Sequence, residues 1–369
     1  MRSAKRTVVG LFGLLAVALL LAPASAGAKP PKSFYGVVPQ TELGGTDLTR
    51  MGQGRVGTLR VPFVWSVIDP SAVPADYQWE ELDKLVGGAA QNAIRILPTI
   101  TSTPTWVSQL DNCPSNCGKQ PPQGELALLA WRTFLRALVQ RYGPEGSYWT
   151  MHPEVRKVPI TAWQIWNEQN SKQYFSPEPD AGVYAKLVTE ASRAIKREDP
   201  NAKVILGGMF ATPQGKLDPR TNSWTYLRSL YNKPGLAGRF DGVAVHPYAQ
   251  GMKGVRAQVK LLRTEMQRAG DGKTGLWVTE VGWGSAPKDP QIPLIRGPKG
   301  QAKKLRQAFS YFTEKRRRLH VRNVSWFSWK DTPREIALCI WCPRSGLFSR
   351  TGLTPKPAWS AFVRFTGGS

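Results

Sequence analysis

Short apolar runs alternate with amphipathic stretches along nearly the whole chain. Segments 34–38, 58–64, 94–100, 162–166, 203–207, 241–245, 276–279 and 323–328 are brief runs rich in Val, Ile, Leu and aromatic residues. Runs of this length and composition read as strands buried on both faces. Between them the period changes to that of a helix. In 125–142 the apolar positions are 128, 131, 135, 138, 139 and 142, and Gly143-Pro144 ends the stripe. Tyr184, Leu187, Val188, Ala191 and Ile195 form a second stripe that stops before Asp199-Pro200. Segments 79–93, 223–231, 255–269 and 357–365 read as further helices. Leu305, Ala308, Phe309, Phe312 and Leu319 mark another, on which the basic run Lys315–Arg318 forms a solvated face. Eight strands, each followed by a helix or a long loop, predict parallel strands joined by crossovers. The expected fold class is α/β, a single (β/α)₈ TIM barrel over 27–369. A doubly wound open sheet is the alternative, and it lacks the Gly-rich phosphate turn after strand one.

In such a barrel the chemistry gathers at the carboxyl ends of the strands. Strand four is apolar until it breaks into Asn167-Glu168-Gln169-Asn170, and strand seven ends in Glu280. Strand two carries Arg60, strand six runs into His246-Pro247-Tyr248, Trp106 follows strand three and Trp329 follows strand eight. Two glutamates ending two strands at one rim are what glycoside hydrolysis needs: one protonated to release the leaving oxygen, one ionised to attack the anomeric carbon. Arg60 by its charge and Tyr248 by a hydrogen bond are expected to keep the nucleophile ionised. Arg60, Asn167, His246, Tyr248, Trp106 and Trp329 are the expected sugar contacts, with Trp65, Trp166 and Trp283 divided between rim and core.

Ile165-Trp-Asn-Glu168 and Val278-Thr-Glu280, with Arg60 and His246-Pro-Tyr248, resemble the clan A glycoside hydrolases, and within the clan family 39 first and family 5 next. The resemblance covers nearly the whole barrel. It implies a retaining mechanism with Glu168 as acid/base and Glu280 as nucleophile. Gln169 stands where those families often carry proline. A binding-only barrel without catalysis is the rival reading, and an inverting hydrolase, with its carboxylates farther apart, is a third.

Residues 1–26 pair a basic start (Arg2, Lys5, Arg6) with the apolar run 8–21 and Ala24-Ser25-Ala26, the pattern of a secretory signal peptide cleaved after Ala26. In an exported chain Cys113 with Cys117 and Cys339 with Cys342 are expected to form two local disulfides. The net charge is +24, of which Arg2, Lys5 and Arg6 supply three, leaving +21. That excess favours an acidic or cell-wall-associated poly- or oligosaccharide over nucleic acid. The long loops 102–123 and 283–299 predict an extended cleft and favour endo action. No cofactor, metal or transmembrane segment is expected, and the chain is read as a secreted monomer.

Overall fold

Strand β1 (Tyr35–Val38) opens a ring that continues through β2 (Thr58–Val64), β3 (Arg95–Thr101), β4 (Ala162–Asn167), β5 (Lys203–Phe210), β6 (Gly242–His246), β7 (Gly275–Val281) and β8 (Val321–Phe327). The computed structural model describes residues 29–73, 76–211, 219–337 and 339–369. The signal peptide expected over 1–26 therefore lies outside the described residues. Every neighbouring pair of strands is parallel, and β8 returns to β1 through Tyr35↔Val324 to Val38↔Phe327, so the eight strands close into the predicted barrel. Residues Pro31–Ser369 form one compact unit.

Helices follow the strands in order: α1 (Gly45–Gln53), α2 (Trp65–Ile68), α3 (Glu80–Gln91), α4 (Thr105–Leu110), α5 (Glu125–Tyr142), α6 (Ser147–Met151), α7 (Ala181–Glu198), α8 (Ser223–Tyr231), α9 (Met252–Arg268), α10 (Gly297–Glu314) and α11 (Pro357–Thr366). The apolar stripe of α5 is buried as its periodicity requires, with Leu128, Trp131, Leu135, Leu138 and Tyr142 all inside. Trp131 and Phe134 pack against Trp65 at 5.2 and 5.3 Å between ring centroids, which ties α5 to the end of β2. Among the described residues no helix is long and apolar enough to cross a membrane. Both disulfides, Cys113–Cys117 and Cys339–Cys342, are formed.

Three departures from the sequence reading have local causes. Helix α1 carries only Leu48 and Met51 as apolar residues on its buried face, beside Asp47, and two glycines, too weak a stripe to stand out. β5 extends through Gly207-Gly208 to Phe210, because the glycines break the apolar run without breaking the strand. The basic run Lys315–Arg318 lies in the turns beyond the end of α10, not on the helix.

Candidate active site

The site is assembled where β4, β6 and β7 end. β4 holds the Asn167↔Gly208 register with β5, and the Glu168 amide donates to the Gly208 carbonyl at 3.0 Å. Just here the backbone turns into the left-handed region, at Trp166 (φ 66°) and Glu168 (φ 44°). Side chains avoid that region at a cost of about 1–3 kcal/mol each, and such strain clusters at functional sites. Gln169 and Asn170, both fully buried, hold the distorted end in place. Gln169 Nε2 donates to the Gly207 carbonyl at 3.2 Å, and Asn170 Nδ2 donates to the carbonyls of Phe210 and Thr221, both at 2.7 Å.

One carboxylate oxygen each of Glu168 and Glu280 and one ring nitrogen of His246 lie within 4.8 Å of one another. The two carboxylates have different neighbours. Glu280 Oε1 accepts from Arg60 Nη1 at 2.7 Å, and its Oε2 accepts from the Tyr248 hydroxyl at 2.6 Å. Burial pushes the Glu280 carboxyl up. The charges of His246 and Arg60 and the hydrogen bonds from Tyr248 and Arg60 outweigh it and hold the group below the usual range. Glu168 lies 2.7 Å from His246 Nδ1. Its burial dominates, His246 only partly offsets it, and the negative charge of Glu280 adds to it, so the Glu168 carboxyl is raised. Burial first, and then the charge of Glu280, also raises the Tyr248 phenol, which keeps it a donor.

Arg60 is the hub beneath the pair. Its Nη2 donates to Asn167 Oδ1 at 2.7 Å and its Nε to Gln164 Oε1 at 2.6 Å. Gln164 is fully buried, accepts a second bond from Thr99 Oγ1 at 3.0 Å and donates to the Leu206 carbonyl at 3.1 Å. Glu168, His246 and Glu280 are the one trio among the described residues with metal-ligand spacing. Their ligating atoms are already engaged by Arg60, Tyr248, Thr279 and each other. A fixed guanidinium on Glu280 gives this donor set the character of a proton-handling site rather than a cation site.

Above the pair opens a cleft of about 970 Å³, walled by the loops after β4, β5 and β8 and by α8. Asn167, Glu168, Tyr248 and Glu280 line it. Other expected contacts fall elsewhere. Arg60 and His246 are buried below the cleft, against the two carboxylates. Trp329 is fully buried, donates its indole N–H to Asp47 Oδ1 at 2.8 Å and packs on Phe348, so it does not reach the cleft. Trp106 is half-buried, donates to the Asp69 carbonyl at 3.1 Å and is not in the lining. Trp65, Trp166 and Trp283 are core. Besides Tyr248, the aromatic walls are Tyr174, Phe210, Tyr226, Phe327 and Trp341. Trp341 sits inside the Cys339–Cys342 loop with its ring centroid 5.1 Å from that of Tyr248. The loop after β3 adds nothing to the lining, whereas Leu294 from the loop after β7 does. Gln164 and Trp341 were overlooked in the sequence. The sign for Gln164 was a lone polar residue inside an apolar strand, and for Trp341 an aromatic residue flanked by two cysteines.

No protein-family model and no curated protein sequence matches the chain. Solved structures do match. A family 39 glycoside hydrolase from the gut symbiont Bacteroides cellulosilyticus superposes with a TM-score of 0.64 at 20% identity, over 91% of this chain and 64% of the other. A family 5 (subfamily 18) protein from Streptomyces cattleya, in complex with Manβ1-4GlcNAc, gives 0.65 at 16% identity, over 92% and 80%. A monomeric β-xylosidase from Caulobacter crescentus gives 0.61 at 19% identity, over 91% and 68%. This chain thus spans less than two thirds of the length of the family 39 protein, and what it shares with all three is the barrel.

Proposed function

We propose that the chain is a retaining glycoside hydrolase acting on a poly- or oligosaccharide, with Glu168 as acid/base and Glu280 as nucleophile. The observation that carries this reading is the pair itself: two carboxylates that bring one oxygen each within 4.8 Å, one raised and one lowered. Retaining enzymes hold the two carboxyl groups about 5–5.5 Å apart and inverting ones about 6.5–9.5 Å, to fit a water between them, and the anomeric configuration of the product decides between the two. The fold shared with hydrolases of families 39 and 5 supports the same reading.

In the first step the Glu280 carboxylate attacks the anomeric carbon while the glycosidic C–O bond breaks and the leaving oxygen takes the Glu168 proton. A glycosyl ester of Glu280 results. In the second step Glu168, now ionised, removes a proton from water, the water oxygen attacks the anomeric carbon, and Glu280 leaves as a carboxylate. Arg60 and Tyr248 hold Glu280 in its reactive form between turnovers. His246 positions Glu168, and Asn167, oriented by Arg60, offers its amide to a sugar hydroxyl next to the reaction centre. No step calls for a cofactor, and the site is complete within one copy of the chain, in keeping with a monomer. Export to an oxidising compartment is consistent with the two disulfides and the leader-like start.

Proton NMR of the first product formed from a soluble oligosaccharide tests the mechanism, since retention of the anomeric configuration is expected. Glu280→Gly should abolish turnover and, with azide, yield the glycosyl azide of the opposite anomer. Inverted products from the unaltered enzyme would sink the retaining mechanism. Binding without turnover across a broad glycan panel would favour the binding-only barrel.

A further inference from the structure

A second concavity, of about 600 Å³, lies between the carboxyl-terminal halves of α9 and α10. Leu319, at its floor, leads directly into β8, and the carbonyl of the next residue, His320, accepts from the Leu276 amide at the start of β7. The groove therefore sits at the end of the barrel where strands begin, opposite the rim that carries Glu168 and Glu280.

Its lining is strongly one-signed. Arg256, Lys260, Arg263, Lys315 and Arg318 face a single carboxylate, Glu314, which is already engaged by Lys315. Arg263 is buried, and its terminal nitrogens donate only to the main-chain carbonyls of Gly272, Thr274 and Leu319. Its Nε has no partner. A guanidinium cannot shed its proton, so Arg263 keeps its charge at the base of the groove, with the Asp271 carboxylate acting on it from outside the lining. Arg256 is held over the Tyr311 ring at 5.2 Å, which fixes a second guanidinium on the wall without neutralising it. Two members of the basic run expected on a solvated helix, Lys315 and Arg318, line the groove from the turns after α10. Five basic side chains share one lining carboxylate in this concave site, in a chain whose overall charge is +24.

We propose that this groove binds a carboxylate-bearing polysaccharide and tethers the enzyme to an acidic glycan remote from the cleavage site. The choice of a glycan rests on the hydrolase reading given above. It is favoured by the concave form of the groove, which suits a chain better than a flat bilayer.

Affinity electrophoresis and calorimetry with polygalacturonate as probe test the proposal. The intact protein is compared with R256Q/K260Q/R318Q, all three positions being exposed, while turnover of a short neutral oligosaccharide is followed in parallel. The expected result is at least about a tenfold loss of affinity for polygalacturonate in the variant, a shallower salt dependence, and unchanged neutral turnover. The single variant K260E should show the same loss in smaller measure. Equal affinity in both proteins would overturn the groove. Equally tight, groove-dependent binding of duplex DNA or of phosphatidylglycerol vesicles would overturn the glycan assignment. A groove that binds polygalacturonate in a protein that hydrolyses no glycan would leave the tether standing and remove the hydrolase.

Discussion

Two carboxylates within 4.8 Å repel when both are ionised, so the neighbours decide which one keeps the proton. Here Arg60 and Tyr248 are spent on Glu280, and Glu168 receives a histidine and burial. On the proposed mechanism Glu280 works ionised and Glu168 protonated, so activity should fall as pH drops through the depressed titration of Glu280 and fall again as pH rises through the elevated titration of Glu168. Arg60→Met removes a charge and a donor from Glu280 and so raises its titration. The acid limb of kcat/KM should move to higher pH, with a loss of about 10²–10³-fold at the optimum. An acid limb that stays put would refute this role for Arg60. His246 owes its place to an absence of side chain: a Cβ on Gly208 would overlap His246 Nε2, which hydrogen-bonds Thr279 Oγ1 at 3.1 Å. Gly208→Ala should therefore displace the ring from Glu168, costing about 1–3 kcal/mol in stability and lowering kcat more than it raises KM. Chemical denaturation and steady-state kinetics on the variant would read both, and an unaltered kcat would refute the positioning role.

The elements that carry the two glutamates were legible because strands buried on both faces must be apolar, and a carboxylate at their end stands out. β4 and β7 show this directly: Trp163, Ile165 and Trp166 are buried with Asn167-Glu168 next, and Leu276 and Val278 are buried with Glu280 two positions on. The cleft walls were not legible, because they come from loops whose shape is set by cross-links and tertiary contacts. Rim tryptophans were chosen by nearness to strand ends, yet Trp329 turns into the core to meet Asp47, while Trp341, 14 residues past β8, comes back over the site. The short Cys339–Cys342 bridge constrains that return. Trp341→Ala should raise KM for an oligosaccharide about tenfold with kcat nearly kept, as expected for a lost stacking surface. The double variant Cys339→Ser/Cys342→Ser should move KM in the same direction by less, since the ring remains but its loop regains freedom, and should cost at most about 2 kcal/mol of stability. A KM unchanged in both would show that Trp341 is packing rather than subsite.

At the scale of the molecule, the closure of the ring depends on parts far apart in sequence. β1 must find β8, and the corner between them is sealed by α1 and α11. The sequence predicts α11 but gives no hint of its partner, because α1 has little periodicity of its own and is stabilised from outside. Trp359 on α11 is the link. It packs tilted on Phe348 and edge-on to Trp329 at 4.7 and 5.7 Å between centroids, Trp329 in turn donates to Asp47 on α1, and Arg50 of α1 lies 5.2 Å above the Trp359 ring. Gly54, just past α1, has no side chain because a Cβ there would run into the same ring. Trp359→Ala should leave a cavity at this seal and cost about 3–5 kcal/mol, with a fall in Tm on the order of 10 °C. Trp359 lies outside the cleft lining, so kcat/KM measured well below the transition should match that of the unaltered protein. Calorimetry alongside kinetics separates the two outcomes. A lowered Tm with intact turnover fits a seal remote from the chemistry, whereas a loss of turnover in the folded variant would mean that the β1–β8 corner also sets the geometry of the two glutamates.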